Sequence, residues 1–306
     1  MKKFLLKILP KIKLAVCFAV CISVCIIVSC LAVNKTGGNA STDGKSVLKI
    51  WQIDSFEGGK GSRADFLQDI GDEFAANGGS YVSVVSLSAD AARFNLEKGN
   101  VPDLISYGAG IYGIENYIKS FETWCHGGYC LLSLDTSADF ADLDANNTVI
   151  NEGKDNFVGA AALFCGISGA EYEKSTAAYV SLINGKYKYL LGTQRDIFRL
   201  KTRGESFTIK PVSDFNDLYQ NISVTAQGDR ASLAKRFCGY LFDKTDEVNR
   251  VGMMSKRTGL YDDEMKIMEG VNYAYKLTSP ISESVGQKIK QAVSDGNINM
   301  LKNLLK

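Results

Sequence analysis

The stretch DSFEGGKGS, Asp54 to Ser62, holds the residue types best able to do chemistry in this chain. Two carboxylates, Asp54 and Glu57, flank Ser55 and Phe56, and a glycine-rich run carrying Lys60 follows. Such a loop offers acids, backbone N–H groups and the N-terminus of the next helix to whatever sits at the turn. Nucleotide phosphate fits the pattern poorly. A phosphate-cradling loop reads G-x-x-x-x-G-K-[ST], but Asp54 stands where its first glycine belongs and Gly61 follows Lys60 where Ser or Thr belongs. No G-x-G-x-x-G follows a strand either.

Other chemistry-bearing groups are weaker. His126, in CHGGYC, is the chain's 1 histidine. A Ser-His-Asp hydrolase also needs a G-x-S-x-G elbow, and GISG (Gly166 to Gly169) falls one residue short. Cys125, His126 and Cys130 lack a second ligand pair at zinc spacing. The acids of YDDE (Tyr261 to Glu264) read as a solvated helix end rather than a glycosidase pair. No enzyme, cofactor or metal site is expected. The aromatic content, with 14 Tyr, 15 Phe and 2 Trp, suits stacking on sugar faces, although most such rings belong to cores.

These residues need elements to position them. VLKIWQI (Val47 to Ile53) is rich in β-branched residues and reads as a strand. Ser62 can cap a helix in which Phe66, Leu67, Ile70 and Phe74 share one face, closed by Asn77-Gly78-Gly79. SYVSVVSL, ADAARFNLEKG and PDLISYG continue as strand, helix and strand. That alternation implies a parallel α/β layer with ligands at the carboxyl ends of its strands. Further on, Ser175 to Leu200 reads as a helix, a tight Asn184-Gly185 turn and the strand YKYLLG. Ala231 to Phe242 and Ser282 to Lys306 read as helical.

The N-terminus reads as an export signal. Five lysines precede Leu14, an uncharged apolar run extends to Val33, and a small polar segment follows. The net charge is +1 with those lysines included, so the remainder is mildly acidic, and no basic cluster suggests nucleic acid. Within the apolar run, IVSC (Ile27 to Cys30) resembles a lipoprotein processing box with Cys30 as the lipidated residue. The alternative is an uncleaved transmembrane anchor. Both place the globular part outside the cytoplasmic membrane. Of 8 cysteines, Cys125, Cys130, Cys165 and Cys238 lie beyond the signal and are expected as buried free thiols rather than disulfides.

Taken in order, KIWQIDSFEGGKGSRADFLQDIGDEFAANGG with Glu73-Phe74, then LEKGNVPDLISYGAG with Gly99, Pro102, Asp103 and Leu104, then LINGKYKYLLGTQ with Gly185, Lys186 and Gly192, then Phe237 to Tyr261, resemble the extracellular solute-binding proteins of bacterial ABC transporters, of the family 1 sugar-binding type. The resemblance implies an α/β, two-lobed periplasmic-binding-protein-like fold with a hinge and an interlobe cleft. It implies a signal and anchor at 1–30, a linker at 31–45, one lobe from 46–122 plus 227–262 and another from 123–226 plus 263–306. Crossings are expected near TWCHGGY and YQNISVT. Carried over by position, Asp54, Ser55, Phe56, Glu57, Tyr107, Trp124, Gln194 and Arg195 are the implied ligand contacts. The implied function is capture of a small solute, with a carbohydrate favoured, and delivery to membrane permease subunits from a lipid-anchored position. The alternative is a tethered surface sensor or scaffold with a degenerate cleft.

Overall fold

In the computed structural model, which describes residues 46–306, alternation and burial shape the first strand as the sequence suggests. The expected signal, Cys30 and the linker lie outside the described residues. Strand β1, Leu48–Ile53, buries Leu48, Ile50 and Ile53 completely. It pairs in parallel with β2, Val82–Leu87, and with β3, Leu104–Gly108. Helix α1, Arg63–Ala76, is capped by the Ser62 hydroxyl, which accepts from the Asp65 N–H. It buries Phe66, Leu67, Ile70 and Phe74 against the sheet. Helix α2, Ala89–Glu97, starts from Ser88, which caps Ala91 in the same way.

The chain then leaves this sheet and returns. Strand β4, Glu122–His126, is followed after Gly127-Gly128 by β5, Tyr129–Ser133, in a second sheet. That sheet adds β6, Thr148–Asn151; β7, Glu171–Glu173; β8, Tyr189–Thr193; and β9, Thr208–Pro211. Its helices are α3, Val158–Phe164; α4, Ser175–Ile183; and α5, Gln194–Arg203. After the short β10, Phe215–Asn216, the strand β11, Tyr219–Val224, rejoins the first sheet. Helix α6, Gly228–Asp243, packs there. Strand β12, Tyr275–Lys276, pairs with β10, and α7, Glu283–Ser294, and α8, Ile298–Leu304, pack on α3.

The sheets have the orders β2-β1-β3-β11-β4 and β7-β6-β8-β5-β9. These are the same arrangement. In each, three parallel strands are followed by an antiparallel strand that enters just after a crossing, β11 in one and β5 in the other. Both β4 and β11 are hydrogen-bonded within the first sheet. The crossings therefore fall at Gly127-Gly128, within TWCHGGY, and at Asp217-Leu218, just before YQNISVT, a few residues from the expected boundaries at 123 and 226. Periodicity reveals a strand but not which sheet its N–H groups will pair with. A third crossing follows the 3₁₀ turn Thr245–Val251, where His126 and Met254 bond each other's backbone. Both sheets belong to one compact unit, Val47–Lys306. Among the described residues, no helix is long and apolar enough to cross a membrane, and no group of three or more His, Cys, Asp and Glu is placed to hold a metal.

Candidate ligand cleft

The loop that follows β1 meets the second lobe across a cavity of about 870 Å³. The glycines of this loop serve backbone packing. A Cβ on Gly59 would lie 2.0 Å from the Gly252 carbonyl oxygen, and the Lys60 N–H donates to Val251 O at 3.1 Å. The glycine run thus seats the loop against the third crossing. The close partner of Gly59 is the protein's own backbone.

Three helices begin at this cavity, since Ser62 and Arg63 of α1, Thr176 of α4 and Arg195 of α5 all line it. Each N-terminus brings unpaired N–H groups and partial positive charge. Six cationic side chains, Lys60, Arg63, Lys154, Arg195, Arg199 and Arg203, line the cavity against two carboxylates, Asp54 and Glu57. Both carboxylates are already engaged. Asp54 Oδ1 accepts from Gln52 Nε2 at 2.8 Å and from Arg63 Nη2 at 2.6 Å. Glu57 reaches across the cleft, with Oε1 2.7 Å from Arg195 Nη1 and Oε2 accepting from Ser175 Oγ at 2.7 Å. A second link closes the cleft, from the Asp155 N–H to Ser55 O at 2.9 Å.

Arg63 is 2% exposed. Its guanidinium donates to Asp54 and to Phe56 O and lies 4.0 Å from the Phe56 ring centroid. Its Nη1 is buried with no hydrogen-bond partner among the described residues. Arg199 bonds Ser175 Oγ at 2.8 Å and Asp196 Oδ1 at 3.1 Å. Asp196 in turn completes a capping box with Thr193 at the start of α5. Burial raises the Asp196 pKa from its ordinary value, opposed by the Thr193 N–H and by Arg199.

Of the residues anticipated from sequence, Asp54, Phe56, Glu57 and Arg195 come together here. The others do not line it. Ser55 is buried, with its hydroxyl where a Cβ on Gly108 would stand. Tyr107, expected as an aromatic platform, is fully buried among Ile53, Leu96, Ile105 and Ile111 and edge-on to Phe121. Trp124 stacks on Phe66 at 5.6 Å and donates to Ser106 Oγ, so its face is spent in the core. Gln194 is buried at the first crossing, accepting from the Gly128 N–H at 3.0 Å. Strand-end position suggested these contacts, but the side chains point to the packed interior. Sequence reading missed Arg63, Lys154, Tyr179 and Arg199; the only available signal was the arginine at the first position of α1.

Among the described residues, all four cysteines are free. Burial pushes Cys165 and Cys238 up to about 12 and raises Cys125 and Cys130 further, which leaves them unreactive thiols at neutral pH.

No protein-family model and no curated protein matches the chain. Solved structures do. A chain described as a two-component system protein that mediates signal transduction aligns with a TM-score of 0.56 at 12% identity, covering 81% of this chain and 100% of its own. Iron-bound HitA from Pseudomonas aeruginosa gives 0.53 at 11% identity, covering 84% and 99%. The substrate-binding domain ascribed to a molybdenum ABC transporter of Clostridium difficile gives 0.50 at 12% identity, covering 68% and 98%. The fold is that of the two-lobed periplasmic binding proteins. In this chain the cavity between the two sheets is the basic cleft under the loop at 54–62.

Proposed function

We propose that this chain is the substrate-binding component of an ABC importer, held outside the cytoplasmic membrane through a lipid on Cys30, and that it captures a small anionic solute for delivery to permease subunits. The observation that carries the reading is the convergence of six cationic side chains and the starts of three helices on one interlobe cavity. Helix N-termini and guanidinium groups are the ordinary means of holding oxyanions and carboxylates.

The carbohydrate reading loses support from the same wall. Its aromatic rings are Phe56, Tyr179 and Phe198. Each is faced by the protein's own cation: Arg63 at 4.0 Å, Arg199 at 5.7 Å and Lys60 at 5.4 Å. A cation over one face of each ring leaves at most the opposite face for a sugar.

A second reading, a surface sensor with a self-filled cleft, is favoured by the Asp54–Arg63 and Glu57–Arg195 pairs, which satisfy both cleft carboxylates internally. One thermal-shift screen separates the two. Oxyanions, di- and tricarboxylates, sugars and polyamines are tested against the fragment beginning at residue 34. A ligand at a hundred times its dissociation constant stabilises by ~2.7 kcal/mol. Stabilisation by anions alone supports the importer component. A cooperative melt unmoved by any class favours the sensor, and a sugar hit removes the anion assignment.

A further inference from the structure

A second cavity, of about 250 Å³, shares no lining residue with the cleft. It is walled by His126, Tyr219, Lys256, Tyr273 and Lys276, with Ser255 and Thr278 at its edges. These residues come from the segments that join the lobes. His126 ends β4 at the first crossing, and its backbone N–H and C=O bond Met254 at 2.8 and 2.9 Å. Tyr219 opens β11 at the second crossing, its ring 5.7 Å from the imidazole. Ser255 and Lys256 continue the third crossing, and Lys276 lies in β12, which pairs back onto β10.

The lining has a single sign of charge. Two lysines and a histidine face the cavity and no carboxylate does. The hydrogen bond of Lys276 Nζ is a long one, 3.5 Å to Asn272 Oδ1. Tyr273 is 5% exposed, and its hydroxyl is buried with no hydrogen-bond partner among the described residues. That hydroxyl lies 2.6 Å from where a Cβ on Gly128 would stand, with the Met254 and Met268 methyl groups beside the same position. The imidazole of His126 has Nδ1 3.0 Å from Gly127 O and Nε2 3.3 Å from Ser255 O. A neutral ring can donate to just one of those carbonyls, so a neighbouring anion would favour the doubly protonated ring that satisfies both.

We propose that this hinge cavity is a second binding site, for a small inorganic oxyanion held by Lys256 and Lys276 beside the His126 imidazole. The cavity is lined from the segments of all three crossings, so occupancy biases the angle between the lobes and, by linkage, the cleft's affinity. The assignment is independent of what the cleft binds.

The chain has 1 histidine, which makes His126 an unambiguous reporter. The full chain in neutral detergent is titrated with inorganic phosphate while the imidazole signals are followed by NMR. The wild type and the cleft variant Arg195→Ala should both show a saturable shift. The double variant Lys256→Ala/Lys276→Ala, altered only at exposed side chains, should bind at least tenfold more weakly. No saturable shift in the wild type, an unchanged affinity in the lysine variant, or a shift abolished by Arg195→Ala would overturn the proposal.

Discussion

Glu57 and Arg195 form an ion pair of 2.7 Å between the loop of one lobe and the first turn of a helix in the other. The same carboxylate accepts from Ser175 Oγ at the start of α4. A side chain of the protein therefore occupies a position where two helix N-termini and an arginine would otherwise meet an anion. The pair is a latch and, under the proposed function, a competitor. An arriving anionic solute must displace it.

Glu57→Gln removes the competing charge while keeping the side-chain length. Anion affinity should rise roughly tenfold, about 1.4 kcal/mol, and the ligand-free chain should sample a more open shape in small-angle scattering. Weaker anion binding in this variant would make Glu57 a ligand contact instead of a competitor.

Arg63 supports the loop from beneath. Its ion pair with Asp54, its bond to Phe56 O and its stacking on the Phe56 ring are all made by a side chain with 1% exposure. Arg63→Ala leaves the Asp54 carboxylate with Gln52 alone, frees Phe56 O and opens a void, and should cost ~3 kcal/mol in urea denaturation. Arg63→Lys should recover only part of this, because an ammonium cannot donate in a planar fork to two acceptors. A loss below about 1 kcal/mol for Arg63→Ala would contradict the role.

Asp217, at the second crossing, has its carboxylate buried. Burial raises its pKa to about 6, opposed by donation from the Tyr129 hydroxyl and the Phe157 N–H. The ordinary value is 3.8, so between about pH 4 and 6 the folded state holds a proton that the unfolded state has released. Stability from this group is fully present below the unfolded pKa and falls as pH rises through the folded one. Relative to Asp217→Asn, the wild type should gain roughly 2 kcal/mol as the pH is lowered from 7 to 4. A stability difference that is flat with pH would show that the carboxylate is not so perturbed.

Two glycines give opposite outcomes. Gly59→Ala drives a methyl group into the Gly252 carbonyl, 2.0 Å from the ideal Cβ, and should cost roughly 2–3 kcal/mol. Gly239 lies inside α6 with nothing within 4 Å of its Cβ position. Gly239→Ala should stabilise by about 0.5–1 kcal/mol through helix propensity alone. Thermal melts of the two variants displaced in the same direction would refute this assignment.

Much of the architecture is written locally. The alternation in VLKIWQI, the Ser62 cap with its apolar stripe, and the Asn184-Gly185 turn before YKYLLG each act over a few residues, and each yields the element they predict. Their order was enough to suggest two α/β lobes with a cleft. The loop at 54–62 was legible as a cleft rim because a strand end, two acids and a helix start lie together in the sequence. What the sequence alone left open depends on pairings between distant residues. The sheet that β4 and β11 join is decided by backbone partners about a hundred residues away. Whether Tyr107 and Trp124 offer their rings to a ligand is decided by the packing of Ile105 and Phe66 around them. The charge of the cleft is set when Arg63, Lys154, Arg195 and Arg199 converge from separate segments. Composition reports the sum of those charges across the chain, and only the tertiary structure decides where they meet.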